Sequence, residues 1–124
     1  MTSATAALSD LHRALDAPRE AGGVAAGNWR WTVRQRMTGV RDVLMRESEH
    51  PDEARLSARR GTALRERRAL LARIGELGPQ VLESPDLDEV RDHGLRLLTD
   101  INHHLQRLHD PAYDDVEIEL GGSE

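Results

Sequence analysis

Cysteine is absent from the 124 residues, and with it go disulfides, thiolate nucleophiles, Cys-ligated zinc and iron–sulfur clusters. Phenylalanine is missing too, leaving Trp29, Trp31 and Tyr113 as the aromatic complement. Seventeen leucines must therefore fill most of any interior. Lysine is the third absence, so all 17 basic side chains are arginine. A bias toward Arg, Ala, Gly and Leu is what GC-rich coding produces, as in many small bacterial chains. No apolar run approaches the roughly 20 residues that a membrane-spanning helix needs. Residues 1–17 lack the basic stretch followed by an apolar one that marks a secretory signal. The expectation is one small cytoplasmic domain with no membrane association and no cofactor.

Charge is present but unevenly placed within a formal total of −5. Residues 30–73 hold twelve Arg against six acids, whereas residues 74–124 hold three Arg against thirteen acids. Such a dipolar chain either folds its basic part onto its acidic part or offers each to a partner.

Apolar spacing predicts helices throughout. Ala4, Leu8, Leu11 and Leu15 share one face of a short helix over residues 3–17, which Pro18 stops. Residues 17–27 read as a linker and Asn28 as the N-cap of a second helix running to about residue 49. Its seam is Trp29, Val33, Met37, Val40 and Leu44. Pro51, followed by Asp52 and Glu53, starts a third helix carrying Leu56, Ala63, Leu64, Leu70, Leu71, Ile74 and Leu77, which Gly78-Pro79 halts or kinks. Ser84-Pro85-Asp86 starts a fourth, with the Ser84 hydroxyl as N-cap, Pro85 at the first position and Asp86 in the first turn. It continues through Val90, Leu97, Leu98, Ile101, Leu105 and Leu108 and ends before Pro111. Short connections favour antiparallel neighbours. The fold class is all-α: an antiparallel up-down helical bundle of three long helices plus a short N-terminal one, over residues 1–110.

Residues 111–124 form a separate acidic tail. Asp115 to Leu120 alternates acidic and apolar residues, the period of a strand, and is read as extended; a short helix from Asp110-Pro111 is the alternative. Val116, Ile118 and Leu120 are candidate interaction residues, and a homodimer in which the tail crosses to a neighbour is the expected assembly.

Several constellations suggest chemistry. Six histidines invite a metal reading, with His93, Asp100 and His104 as candidates, but only single Glu47-x-x-His50 and Asp100-x-x-His103 spacings occur. Glu89, His93, Arg96, Asp100 and His104 line one edge of the fourth helix's stripe. They make either a polar site with a carboxylate-poised His or a lattice of i,i+4 pairs. Arg30, Arg34 and Arg41 flank the second helix near Trp29, as a phosphate or protein contact would require. No Lys, aromatic platform or helix-turn-helix pattern supports nucleic acid. Trp31 points away from the seam and is expected to be covered by the first helix, an exposed partner anchor being the alternative.

The leading expectation is a non-enzymatic protein–protein interaction or self-assembling module, with a protein partner or homo-oligomer implied. A ligand- or metal-binding bundle or enzyme using His93, Asp100 and His104 is the runner-up, and an Arg-rich nucleic-acid-associated protein the third. Arg60 and Arg67, seven residues apart, fall within the third helix's apolar stripe. A turn centred near residues 83–84 predicts that Arg67 meets Asp100 in a buried ion pair, with Arg60 paired or solvated; both reaching solvent past Leu64 is the alternative.

Overall fold

A computed structural model describes residues 4–19, 23–46 and 57–109, and all regular structure within them is helical. The helices are α1 (Ala4–Asp16), α2 (Gly23–Arg46), α3 (Ser57–Glu83) and α4 (Leu87–His109). At about 1.5 Å per residue, α1 is ~20 Å long and the others ~35–40 Å. Each helix packs on two neighbours, closing the ring α1–α2–α3–α4–α1.

Cross-helix pairs give the directions. Arg30 reaches Val81 and Ser84, while Arg34 lies over Gly78. Arg73 meets Asp100, and Glu66 meets Arg107. Asp16 meets Arg91, and Arg19 meets Asp88. Rising numbers on one helix meet falling numbers on the next, so neighbours are antiparallel. The up-down bundle expected from the apolar spacing is the fold.

The whole α2 seam is buried, and Ala26, three residues before Trp29, extends it. This is why α2 begins at Gly23 and not after Asn28: the stripe continues through two alanines, and Gly23 takes φ +81°, which glycine adopts without strain. α1 buries Ala7, Leu11, Ala14 and Leu15, with Ala4 and Leu8 at the margin. α3 buries Leu70, Ile74, Leu77 and Val81, and α4 buries Leu87, Val90, Leu97, Leu98, Ile101 and Leu105.

Pro79 does not stop α3, which continues to Glu83. The carbonyl that loses its donor belongs to Gly75, which is exposed like Pro79 itself, so water replaces the missing bond. Leu77 and Val81 meanwhile bury on either side of the proline. The α4 cap is also displaced from the expected residue. Asp86 Oδ1 accepts from the Glu89 amide at 3.0 Å, while Ser84 Oγ accepts from the Asp86 amide. Asp86 is thus the N-cap, with Asp88 and Glu89 in the first turn where the helix dipole favours acids.

Prolines decide what happens at the ends. Pro18 supplies no N–H for Ala14 O, which Ala17 takes in a tighter turn at 3.3 Å. The Leu15 carbonyl accepts from Trp29 Nε1 at 3.2 Å. Pro85 supplies no N–H for Val81 O, and Arg30 Nη1 fills that place at 2.9 Å while its Nη2 donates to Ser84 O at 2.8 Å.

Leu15, fully buried, rests on α4 at Gly94, where an added Cβ would come within 2.9 Å of Leu15 Cδ2. Gly75, by contrast, has open space around it. Gly75→Ala is therefore expected to raise stability by about 0.5–1 kcal/mol, from helix propensity alone. Gly94→Ala should lose about 1–3 kcal/mol to the displaced Leu15, less the same propensity gain. Urea denaturation midpoints check both; a stabilising Gly94→Ala would contradict the close packing of α1 on α4.

Candidate functional site

The α3–α4 interface is polar along one edge. At about 100° per residue, Glu66, Arg73 and Gln80 follow one margin of the α3 stripe. His93, Arg96, Asp100, His104 and Arg107 follow the facing margin of α4. Of the residues read from the sequence as this edge, Asp100 and His104 meet partners on α3, His93 and Arg96 border a groove, and Glu89 is exposed in the first turn of α4.

At one end, a buried histidine meets a half-exposed carboxylate and a half-exposed arginine. His104 is 1% exposed, and its Nδ1 is hydrogen-bonded to Glu66 Oε1. Arg107 Nη2 donates to Glu66 Oε2 at 2.5 Å. Burial pushes the Glu66 carboxyl up, but the hydrogen bonds and charges of Arg107 and His104 outweigh it, and the net pKa lies below the ordinary 4.5. One turn along, Arg73 Nη1 donates to Asp100 Oδ2 at 2.7 Å in a half-exposed pair. Beyond it, Arg73, Glu76, Gln80, His93 and Arg96 rim an open groove of about 270 Å³, floored by Leu77 and Leu97.

Asp100 is therefore paired with Arg73 and not with Arg67. Because Asp86 caps α4, the turn centres on Pro85, one to two residues later than expected. Level residues then sum to 170 for Glu66 and His104 and to 173 for Arg73 and Asp100, instead of about 167. Arg67 lies about 120° around the helix from Arg73, on the margin toward α2, and is half-buried there. The Arg60 side chain lies outside what is described.

The metal candidates are separated by these pairings. His93 is exposed at the groove, Asp100 faces Arg73, and His104 faces Glu66 inside the interface. Along the axis His93 and Asp100 are about 10 Å apart, too far to share one ion. Among the described residues no cluster of three or more His, Asp or Glu converges on a point that would hold a metal.

The interaction candidates divide differently. Arg30 is committed to the end of α3 and is not available to a partner. Arg34 and Arg41 are exposed, the former lying across Gly78. Trp31 is 64% exposed and not covered by α1, because Trp29 takes the place against Leu15. Val116, Ile118 and Leu120 lie outside the described residues.

Among the described residues the large exposed apolar side chains are Val24, Trp31 and Met45 on α2 and Leu64 and Leu82 on α3. α1 and α4 contribute none of them. Two adjacent helices therefore carry the exposed apolar surface, and helix periodicity puts Val24 and Trp31, seven residues apart, on one line.

Glu66, Arg73 and Arg107 were not singled out by the sequence reading. A signal was there: Glu66, Leu70, Arg73 and Leu77 are spaced 4-3-4, so the two charges continue the apolar face. Comparison with protein-family models, curated proteins and solved structures gives no match.

Glu66→Ala leaves the buried His104 nitrogen without its acceptor and should cost roughly 1–3 kcal/mol at neutral pH. Asp100→Ala breaks a half-exposed pair and should cost no more than about 1 kcal/mol. A carboxyl held below 4.5 in the fold binds its proton more readily when unfolded. Its contribution is complete above that value and disappears as pH falls through the lower folded pKa. The stability gap between the native chain and Glu66→Gln should shrink in the same window. Denaturation curves from pH 7 to 3 check this, and a gap that widens on acidification would refute it.

Proposed function

We propose that this chain is a non-enzymatic protein–protein interaction module that docks through the outer face of α2 and α3 around Trp31. The observation that carries this reading is that, among the described residues, the exposed large apolar side chains all lie on those two helices. Trp31 is central. A tryptophan offers about 150–250 Å² of surface, so leaving two thirds of it in water forgoes roughly 3 kcal/mol of burial. Val24, at 78% exposure, and Leu82, at 48%, add to the patch. Arg34 and Arg41 supply the charged margin typical of an anchor residue's surroundings. The groove between α3 and α4 supports a second reading, a site for a small anionic ligand held by Arg96 and His93 over Leu77 and Leu97.

The homotypic form of the first reading is directly measurable. Sedimentation of the full chain across a concentration series should show reversible self-association. Trp31→Glu should weaken it by about thirty-fold or more, the loss expected of an interface anchor. A chain whose association is indifferent to Trp31→Glu would defeat the assignment of this face.

A further inference from the structure

The outer α2–α3 surface has a second end, away from Trp31, and its chemistry resembles a negative of the C-terminal segment. Leu64 is exposed there and Leu71 is half-buried, by helix periodicity both on the α3 margin facing α2. Arg41 of α2 and Arg67 and Arg68 of α3 surround them, and among the described residues none of these three has a carboxylate partner. Together α2 and α3 hold eleven Arg against four acids. Residues 110–124 hold six acids and no base, and Val116, Ile118 and Leu120 alternate with Asp115, Glu117 and Glu119.

We infer that residues 114–120 of the same chain dock on the Leu64 end of the α2–α3 face, which makes that end a site for an acidic peptide of alternating apolar character. The inference rests on the reading of α2–α3 as a docking surface and adds its occupant at one end. An extended segment puts Val116, Ile118 and Leu120 on one side, against Leu64 and Leu71. The long Arg side chains reach past their own apolar stems to the acids.

Reach decides between the two ends. Antiparallel register sets His109, the last residue of α4, level with about residues 61–64 of α3. Residues 110–115 span about 20 Å when extended, enough to cross a helix of ~10–12 Å diameter. Val116 to Leu120 then covers about 13 Å, close to the ~10 Å from Leu64 to Leu71 and well short of Trp31. Tethering gives an effective concentration in the millimolar range, which favours the chain's own segment over that of a second copy. Trp31, Val24 and Leu82 stay uncovered.

The absence of cysteine makes the test clean. A single Gly121→Cys in the full chain, carrying a nitroxide, is read by paramagnetic broadening of ¹⁵N-labelled amides. The expected result is loss of signal around residues 41–45 and 64–71, with α1 unaffected. It should vanish when Val116, Ile118 and Leu120 are all changed to Ser, and weaken in 1 M salt. Broadening that appears when labelled unmodified chain is mixed with spin-labelled, isotopically silent chain would assign the site to a second copy and overturn the inference. So would uniform or absent broadening. A silent tail combined with movement of the Leu64 resonances in Leu56→Ser would give the face to the α2–α3 connection instead, and also overturn it. Circular dichroism of each variant verifies the helical fold. These readings are independent of the Trp31→Glu sedimentation result, so this inference and the docking face itself fail separately.

Discussion

Two consecutive side chains near the start of α2 hold the ends of both neighbouring helices. Trp29 turns inward and donates its indole N–H to the Leu15 carbonyl at the end of α1. Arg30, about 100° further round, reaches across α3 and donates to Val81 and Ser84. These carbonyls lie within the last four residues before Pro18 or Pro85, where the chain must leave its helix. A terminal carbonyl that is neither bonded nor hydrated costs free energy comparable to a lost hydrogen bond. Once these bonds form, α1 and α3 are both indexed against α2. The Arg91–Asp16 and Arg19–Asp88 pairs then join α1 to α4 at the same end.

The polar seam follows from that indexing. With the α3–α4 turn centred on Pro85, Glu66 arrives beside His104 and Arg107, and Arg73 beside Asp100. A shift of one turn would leave His104 buried opposite a different side chain. The seam therefore works as a register device as much as a source of stability. His104, its one fully buried member, discriminates between registers more strongly than the half-exposed Arg73–Asp100 pair, because in a wrong register its ring nitrogen would lose its partner away from water. The same placement separates His93, Asp100 and His104, the residues that in sequence most resemble a metal or acid–base set.

The outer surface obeys a different logic. α1 and α4 are cleanly divided into apolar and polar faces, whereas α2 and α3 carry apolar residues outside their buried stripes. Trp31 is the clearest instance. Two residues from Trp29 on a helix is about 200°, so one tryptophan inside compels the other to face out. The proposed docking face is thus a direct consequence of the packing that secures α1.

From sequence alone, the apolar period of 3.6 determined the helical class, the inward residues of α2 and α4, and the polar edge from His93 to His104. These are local properties, set by spacing along one chain segment. Where the helices met was not local. The start of α2, the passage of α3 through Pro79, the exchange of Arg67 for Arg73 as the partner of Asp100, and the roles of Trp29, Arg30 and Glu66 each depend on what lies opposite. A one-residue change in a cap moves every level along two antiparallel helices. The choice of Asp86 over Ser84 as N-cap was therefore enough to redirect the ion pairs. Tertiary packing made that choice, because it fixes which terminal groups stay in water and which must find partners within the protein.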